Sequence, residues 1–597
     1  MSDPERLLET LLDLPQVYAP ALEAEGRLLA WTQIGGEATP QVWARPAGGA
    51  PKKLSQGATF NFFAGFLPQG EGLLYEADPG DERSALYAAT LDGERRLLSE
   101  PHPPYYRRGA ALHPEKPWLF FGANYDFGRG EVLEPTWIWR KDLKTGEHRV
   151  LATPERAGTY GLELAPSGRR LLYERRGAHP SARETWVVET TGENDRRVLS
   201  AGERGKVLAT WTRDERLLYI AEEGEARSVG YADLSGARRA VLREAGFSLE
   251  WVFRLEGSPY LGVLAVENAR GYTLVLSPEG DVLREVREPS GELRLLGVFE
   301  GDWVALYQSS THPADLVRLR AEGRESLTGL DARTPDGLVP AEDFYWRGSD
   351  GLQLHGLYYR AKGRPKGTIV LIHGGPTARA GHRLSPEVQY YLARGFHVFL
   401  PNYRGSTGYG LAFQEKIKET GWGGLEQEDI QTGIEALIGA GLAEPYRVGV
   451  TGTSYGGYSS WWQITHAPRR LVAAAAPICG MTDLVVDYRT TRPDLRPYSE
   501  EMLGGSPEEV PERYRERSPI HYVDRIEGAL FIVQGALDPN VTPENVRAVE
   551  ERLKAHGVPY QKLVFEDEGH GILKRRNRRT LYRRLAAFFE RAFRTGD

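Results

Sequence analysis

The residues best placed to do chemistry lie in "GTSYGGY" (452–458), directly after the apolar run "RVGVTG". Gly452, Ser454 and Gly456 form a G-x-S-x-G pattern, in which a strand turns abruptly into a helix. Such a corner holds its central residue in a strained conformation. Side chains two residues either side would collide there, so glycine is required. The corner serine projects from the sheet beside a helix N-terminus, which suits a nucleophile whose product is an oxyanion. The pattern alone is weak, because glycine and serine are common and an ordinary strand-to-helix turn also satisfies it.

A nucleophilic serine needs a base, and the base needs an orienting carboxylate. On a strand-turn-helix site the expected order is Ser, acid, His. "LFIVQGALDPNV" places Asp538 just after an apolar strand, and "KLVFEDEGHG" places His570 just after the next. Both fall at carboxyl ends of predicted strands, where open α/β sheets carry their sites. Asp483 and Asp487 come too early in the sheet order, and Asp567 and Glu568 lie too near His570 in sequence. His397, His466, His521 and His556 lack the late position after a strand, and His113 and His355 read as structural. His373 opens a different motif, "HGGP", after the strand "TIVLI". An HGG-type loop supplies one backbone oxyanion donor and the residue after the nucleophile the other, which assigns Gly375 N–H and Tyr455 N–H.

Two kinds of element position these residues. From about residue 26 to 329 short apolar stretches alternate with Gly, Pro, Asp and Asn turns. A turn followed by a β-rich strand recurs, as in "GRLLAWTQ", "GEGLLYEA" and "GRRLLYER". The core residues Leu29, Leu73, Leu119, Leu171, Leu217, Gly262 and Val304 are about 42 to 52 apart, the length of a propeller blade. A pair of β-sandwiches would not give a unit of such constant length, so seven blades are expected. Beyond about residue 335 near-continuous apolar runs alternate with helical patterns. That implies a mostly parallel sheet buried on both faces. Leu7, Leu8, Leu11 and Leu12 add a short N-terminal amphipathic helix, with Ser2 or Asp3 as its cap.

Composition narrows the classes of function. The chain has 597 residues, 41% of them apolar, and a net charge of −7 with both signs interspersed. This gives no electrostatic case for nucleic acid or an anionic membrane. The basic run "KRRNRRTLYRR" carries a helical apolar face through Leu581, Leu585, Phe588 and Ala592, so it reads as a terminal amphipathic helix with a basic outer side. No apolar run reaches the ~20 residues of a membrane span, and the acidic N-terminus is no secretory signal. The single cysteine, Cys479, cannot form an internal disulfide and points to a reducing, cytoplasmic setting. No Walker loop, H-E-x-x-H motif or Cys/His zinc spacing occurs.

A propeller followed by "HGGP", "PNYRGSTGYG", "GTSYGGY", "GALDPNV" and "DEGHG" resembles the prolyl oligopeptidase family of serine peptidases, and within it the acylaminoacyl peptidases most. The resemblance is strong over residues 344–593 and architectural over the propeller. It implies an α/β-hydrolase catalytic domain (333–597), a seven-bladed β-propeller (21–332) covering the active site, and a helical extension (1–20) packing on the catalytic domain. It places Ser454, Asp538 and His570 on the triad positions and Gly375 and Tyr455 on the oxyanion positions, with no cofactor. Short peptides are the expected substrates, N-acylated ones first; a homo-oligomer is left open. One departure concerns the position two residues after the acid. Relatives similar to acylaminoacyl peptidases often carry Arg there to hold an acyl group, whereas this chain has Asn540, as dipeptidyl-peptidase-like members do. Those members also grip a free N-terminus with paired glutamates; Glu222 and Glu223 are adjacent but read as solvated residues of a blade turn. An apolar pocket is expected among residues 481–503, including Leu484, Tyr488, Leu495, Tyr498 and Met502. The alternatives are a dipeptidyl-peptidase-like exopeptidase, a carboxylesterase with the same triad, and a non-catalytic scaffold.

Overall fold

The computed structural model describes residues 3–594. Seven four-stranded antiparallel sheets, spanning residues 16–53, 60–97, 107–152, 160–199, 207–243, 248–286 and 291–326, follow one another as blades of a propeller. The seven recurrent strands of the sequence are the second strand of each blade. They are sandwiched between neighbours, and Leu29, Leu73, Leu171 and Leu217 are fully buried. The first strands carry a fainter pattern, such as "RRGAAL" and "YGLEL", and those of neighbouring blades approach one another around the axis. Every blade is built from consecutive strands. The ring therefore closes without a shared strand, by packing of Val17, Leu22, Leu29 and Trp31 in blade one against Leu296, Phe299, Val304 and Leu316 in blade seven. The opening strand of blade one, Gln16–Leu22, straddles the expected limit between the extension and the propeller.

The remaining sheet has eight strands. In spatial order they are Glu342–Arg347, Gln353–Tyr359, Phe396–Asn402, Gly367–Leu371, Val448–Thr453, Ala474–Ile478, Ala529–Gly535 and Gln561–Phe565. Gln353–Tyr359 pairs antiparallel with both of its neighbours, and the other pairings are parallel. The apolar runs feed both faces. Val370, Val450, Leu530 and Ile532 join one core with the helices Leu425–Gly439, Tyr455–His466 and Glu544–Ala555. Ile369, Val398, Phe531 and Val533 join the other with Pro386–Ala393 and Arg575–Arg594. The strand order reverses at Gly367–Leu371, so the loops after it and after Val448–Thr453 meet at a topological switch point.

The N-terminal helix Pro4–Asp13 is capped by Asp3, whose carboxylate accepts the Glu5 N–H at 3.0 Å; Ser2 lies outside the described residues. Its Leu8 and Leu12 enter the core of the second sheet face. The basic C-terminal run is less solvated than its sequence suggests. Arg575, Arg579 and Arg583 pair with Glu9, Glu9 and Glu5 of the N-terminal helix at 2.9, 2.6 and 2.6 Å. The propeller is tied to the domain of the eight-stranded sheet by charge as well. Lys206 reaches Glu501 at 2.6 Å, and Arg379 and Arg383 reach buried Glu292 of blade seven. Burial raises the Glu292 pKa, but the two guanidiniums outweigh it and hold the carboxyl below its usual range. No helix of the described residues is long and apolar enough to cross a membrane.

Candidate active site

Ser454 stands between the strand Val448–Thr453 and the helix Tyr455–His466 with φ 62° and ψ −119°, a region that side-chain-bearing residues seldom occupy. The flanking glycines are required by one carbonyl. A Cβ on Gly452 would lie 2.2 Å from Ile372 O, and one on Gly456 would lie 2.1 Å from the same atom. Ile372 immediately precedes "HGGP", so the elbow and this loop are packed backbone on backbone. A Cβ on Gly374 would sit 3.5 Å from Ser454 Cβ, which sets the glycines beside the serine. Gly375 has φ +114°, and a side chain there would meet Thr377 N at 2.7 Å. Tyr455 N–H belongs to the first turn of a helix, where amides lack intrahelical partners.

His373 holds this loop. Its Nε2 hydrogen-bonds Ser406 Oγ and its Nδ1 the Gly374 carbonyl, both at 2.8 Å, and its ring stacks on Tyr403. Burial pushes the ring's pKa down to about 4, so it stays neutral. "PNYRGSTGYG" earns its place in the same way: Arg404 is fully buried between Asp429 at 2.7 Å and Asp350 at 2.9 Å.

Asp538 and His570 lie after the strands Ala529–Gly535 and Gln561–Phe565 and meet directly. His570 Nδ1 is 3.0 and 2.9 Å from the two Asp538 oxygens. Asp538 is buried and accepts the N–H groups of Asn540 at 2.8 Å and Val541 at 3.0 Å. With Nδ1 bound to the carboxylate, Nε2 is left as the proton-accepting nitrogen. Backbone bonds align the strand ends: Ser454 N–H donates to Ile478 O and Cys479 N–H to Val533 O. Burial lowers the His570 pKa, yet the Asp538 charge and hydrogen bond, aided by Glu82 and Asp487, outweigh it and raise the ring above its ordinary value. The acid limb of kcat/KM should therefore lie above the ~6.5 of a free imidazole. A pH profile of hydrolysis measures it; a midpoint below that value would contradict the ion pair.

The other acids have separate tasks. Asp483 caps the helix Leu484–Thr490. Asp487 is buried, bonded to Asn545 and pushed up to about 7 by burial. Asp567 binds Lys574, and Glu568 accepts the Leu573 and Lys574 N–H groups, which folds the loop behind His570. Cys479 is buried, and burial with nearby Asp538 pushes its thiol up.

The expected pocket residues divide. Leu484 is buried in the core, and Tyr488 OH donates to Glu500 at 2.6 Å. Tyr498 is the one tied to the loop that follows "HGGP", through Thr377 N at 3.1 Å and Thr377 Oγ1 at 2.6 Å. Trp422 packs on both Tyr455 and Tyr498. Tyr455 OH donates to buried Glu426 at 2.8 Å, and Glu426 also accepts Gly423 and Gly424 N–H. Sequence reasoning missed Trp422 and Glu426; "GWGGLEQED" offers only its glycines as a signal.

Asn540 faces the propeller. Its Nδ2 donates to Glu82 Oε1 at 2.8 Å, and Arg492 donates to Glu82 Oε2. Asn540 Oδ1 is buried without a hydrogen-bond partner. Glu222 is not the solvated residue expected: it accepts Lys206 N–H at 3.1 Å, and burial raises its pKa. Glu223 is bound by Ser228 and Arg238. Among the described residues, His312, Asp315 and Asp331 have ligand-type atoms within 4.8 Å of one another. They are held by their own contacts, His312 to Asp331 and Thr328 to Asp315.

A serine at a nucleophile elbow, a loop of backbone donors and a buried Asp–His pair, under a seven-bladed propeller, define a serine-hydrolase architecture. Residues 382–596 match the prolyl oligopeptidase family. Two curated relatives are similar to it. One is dipeptidyl peptidase family member 6 of Caenorhabditis elegans, 27% identical over 51% of this chain and 45% of its own length. The other is dipeptidyl aminopeptidase BIII of Pseudoxanthomonas mexicana, 23% identical over 95% of this chain and 86% of its own. The chain thus spans under half of the first relative's length. A puromycin hydrolase structure superposes with TM-score 0.83 at 22% identity, covering 98% of this chain and 96% of that one. The acylaminoacyl peptidase of Pyrococcus horikoshii does so at 0.75 and 18%, covering 98% and 97%. These structures share its fold.

Proposed function

We propose that the protein is a serine peptidase that cleaves short peptides through an acyl-enzyme. The observation that carries this reading is Ser454 at its strained corner beside the oxyanion loop, on the same sheet edge as the bonded Asp538–His570 pair. His570 Nε2 takes the Ser454 proton as Oγ attacks the substrate carbonyl. The oxyanion is received by Gly375 and Tyr455 N–H, and the imidazolium is balanced by Asp538. His570 then protonates the leaving amine, and a water activated by His570 releases the acyl group. The propeller, whose first strand opens at Gln16, covers the hydrolase domain, with the helix Pro4–Asp13 as an extension on it, and would exclude folded proteins.

We take N-acylated peptides as the preferred substrates. Each Glu82 oxygen already takes one donor, from Asn540 and Arg492, and Glu222 and Glu223 are bound by Lys206, Ser228 and Arg238, so none of these three carboxylates is without a partner. Arg492 brings a guanidinium to the neighbourhood of Asn540 from a different part of the chain. One observation favours a second reading, a free N-terminus: the unpartnered Asn540 Oδ1 beside the Glu82 carboxylate would accept N–H donors.

Comparing acetyl-Leu-p-nitroanilide, Gly-Pro-p-nitroanilide and p-nitrophenyl butyrate tests the choice. The acetylated anilide should lead the free-amine substrate in kcat/KM by roughly tenfold or more, the worth of one charged contact. The reverse order selects the second reading, and ester turnover alone makes the protein an esterase.

A further inference from the structure

The loop between the strands Gly72–Asp78 and Ala85–Thr90 of blade two reaches into the hydrolase domain. It is a built loop. Asp78 accepts the N–H groups of Gly80 at 2.7 Å and Glu82 at 2.9 Å, and Glu82 has φ 61°. Its contact with the histidine loop is backbone on backbone, since a Cβ on Gly569 would lie 1.9 Å from Gly80 O. A Cβ on Gly80 would in turn lie 3.0 Å from Leu537, next to Asp538. The loop therefore touches both segments that carry the acid and the base.

One continuous hydrogen-bonded chain runs through this contact. Glu82 accepts Asn540 Nδ2 at 2.8 Å, Asn540 N–H donates to Asp538 at 2.8 Å, and Asp538 binds His570 Nδ1 at 2.9 Å. The amide orientation of Asn540 follows from its partner, because turning it would aim Oδ1 at a carboxylate. We propose that Glu82 is a positioning residue for hydrolysis, fixing Asn540 from the propeller and, through Asn540, the Asp538 carboxylate that aims His570. This rests on the catalytic reading of Ser454, Asp538 and His570 given above.

Nothing in "ADPGDERS" marks Glu82 in sequence. It acquires this place only when blade two is seated on the hydrolase domain, which makes the base dependent on a docked propeller. The groups around the His570 ring are Asp538, Asp487 on its helix and Glu82 on the propeller loop. Arg492 faces Glu82, and Cys479 and Glu568 stand near Asp538. A negative charge near the ring favours imidazolium, so removing the Glu82 charge lowers the ring's pKa and moves the acid limb to lower pH.

The test is the rate of fluorophosphonate labelling of Ser454 as a function of pH, with thermal melting to confirm folding. It needs no peptide to be recognised. Glu82→Ala should slow labelling on the plateau by roughly tenfold, the scale of a lost charged hydrogen bond. Glu82→Gln keeps an acceptor for Asn540, so it should retain more of the rate than Glu82→Ala, with its acid limb at lower pH than wild type. If Glu82→Ala does not fold, Glu82→Gln decides by its limb alone. Wild-type rates and an unmoved limb in the folded variants overturn the proposal while leaving the peptidase reading intact. So does an unchanged labelling profile with KM raised only for free-amine peptides, which would make Glu82 a substrate anchor. Wild type that does not label overturns both.

Discussion

Ser454→Ala is expected to lower kcat by roughly 10^5-fold or more, the scale seen when a triad serine is removed. At 1.36 kcal/mol per decade this is about 7 kcal/mol of barrier. The loss should fall on kcat, because alanine deletes the proposed nucleophilic oxygen and leaves the backbone of the elbow and of the HGGP loop in place. Stability should hardly change. Serine and alanine both carry a Cβ, so the strain of φ 62° persists, and the elbow's bonds, Ser454 N–H to Ile478 O and Tyr458 N–H to Ser454 O, are backbone. Steady-state turnover of the acetylated anilide, read beside the melting temperature, checks both halves. Residual activity within tenfold of wild type in a folded variant would remove Ser454 from the mechanism. Ser454→Gly makes a useful companion: it should be as inactive, yet more stable, since glycine occupies that φ freely.

Gly456→Ala should be the next most damaging change. Its Cβ would stand 2.1 Å from Ile372 O, a backbone atom just past the strand end, whose residue is held by an N–H bond to Thr451 O. The elbow must then move away from the loop that carries Gly375. Displacing a nucleophile by about 1 Å costs on the order of 10^2-fold, and weakening one oxyanion donor costs on the order of 10^2 to 10^3. A fall in kcat/KM of at least ~10^2-fold follows, with a stability loss of about 1–3 kcal/mol from overpacking. Gly439→Ala is the control. A Cβ there meets nothing within 4 Å, and it should stabilise its helix by about 0.5–1 kcal/mol. Turnover by Gly456→Ala equal to that of Gly439→Ala would show that the packing of elbow on loop does not position the reaction.

Local physics wrote a large share of this molecule into its sequence. The parallel strands are buried on both faces, so "TIVLI", "RVGVTG" and "LFIVQG" stand out as unbroken apolar runs. The loops that follow them fall at the sheet edge where Ser454, Asp538 and His570 are found. The glycines at 452, 456 and 375 are legible because a backbone corner and a close approach exclude any Cβ at short range. The second strand of each blade is legible for a related reason: it is covered on both sides by neighbouring blades, so it must be apolar at every repeat.

What the sequence left undetermined depends on partners distant in the chain. The first strands of the blades face the axis and keep a mixed composition that carries little periodic signal. Closure of the ring between blades one and seven is side-chain packing across nearly the whole propeller. Glu222 looks like a turn residue until the docked domain takes it out of water. Trp422 and Glu426 are ordinary letters until the fold brings them against Tyr455. Glu82 is the clearest case. A hydrogen bond to Asn540 spans 458 positions, and a carboxylate acquires its place beside a distant histidine only through the docking of one domain on another.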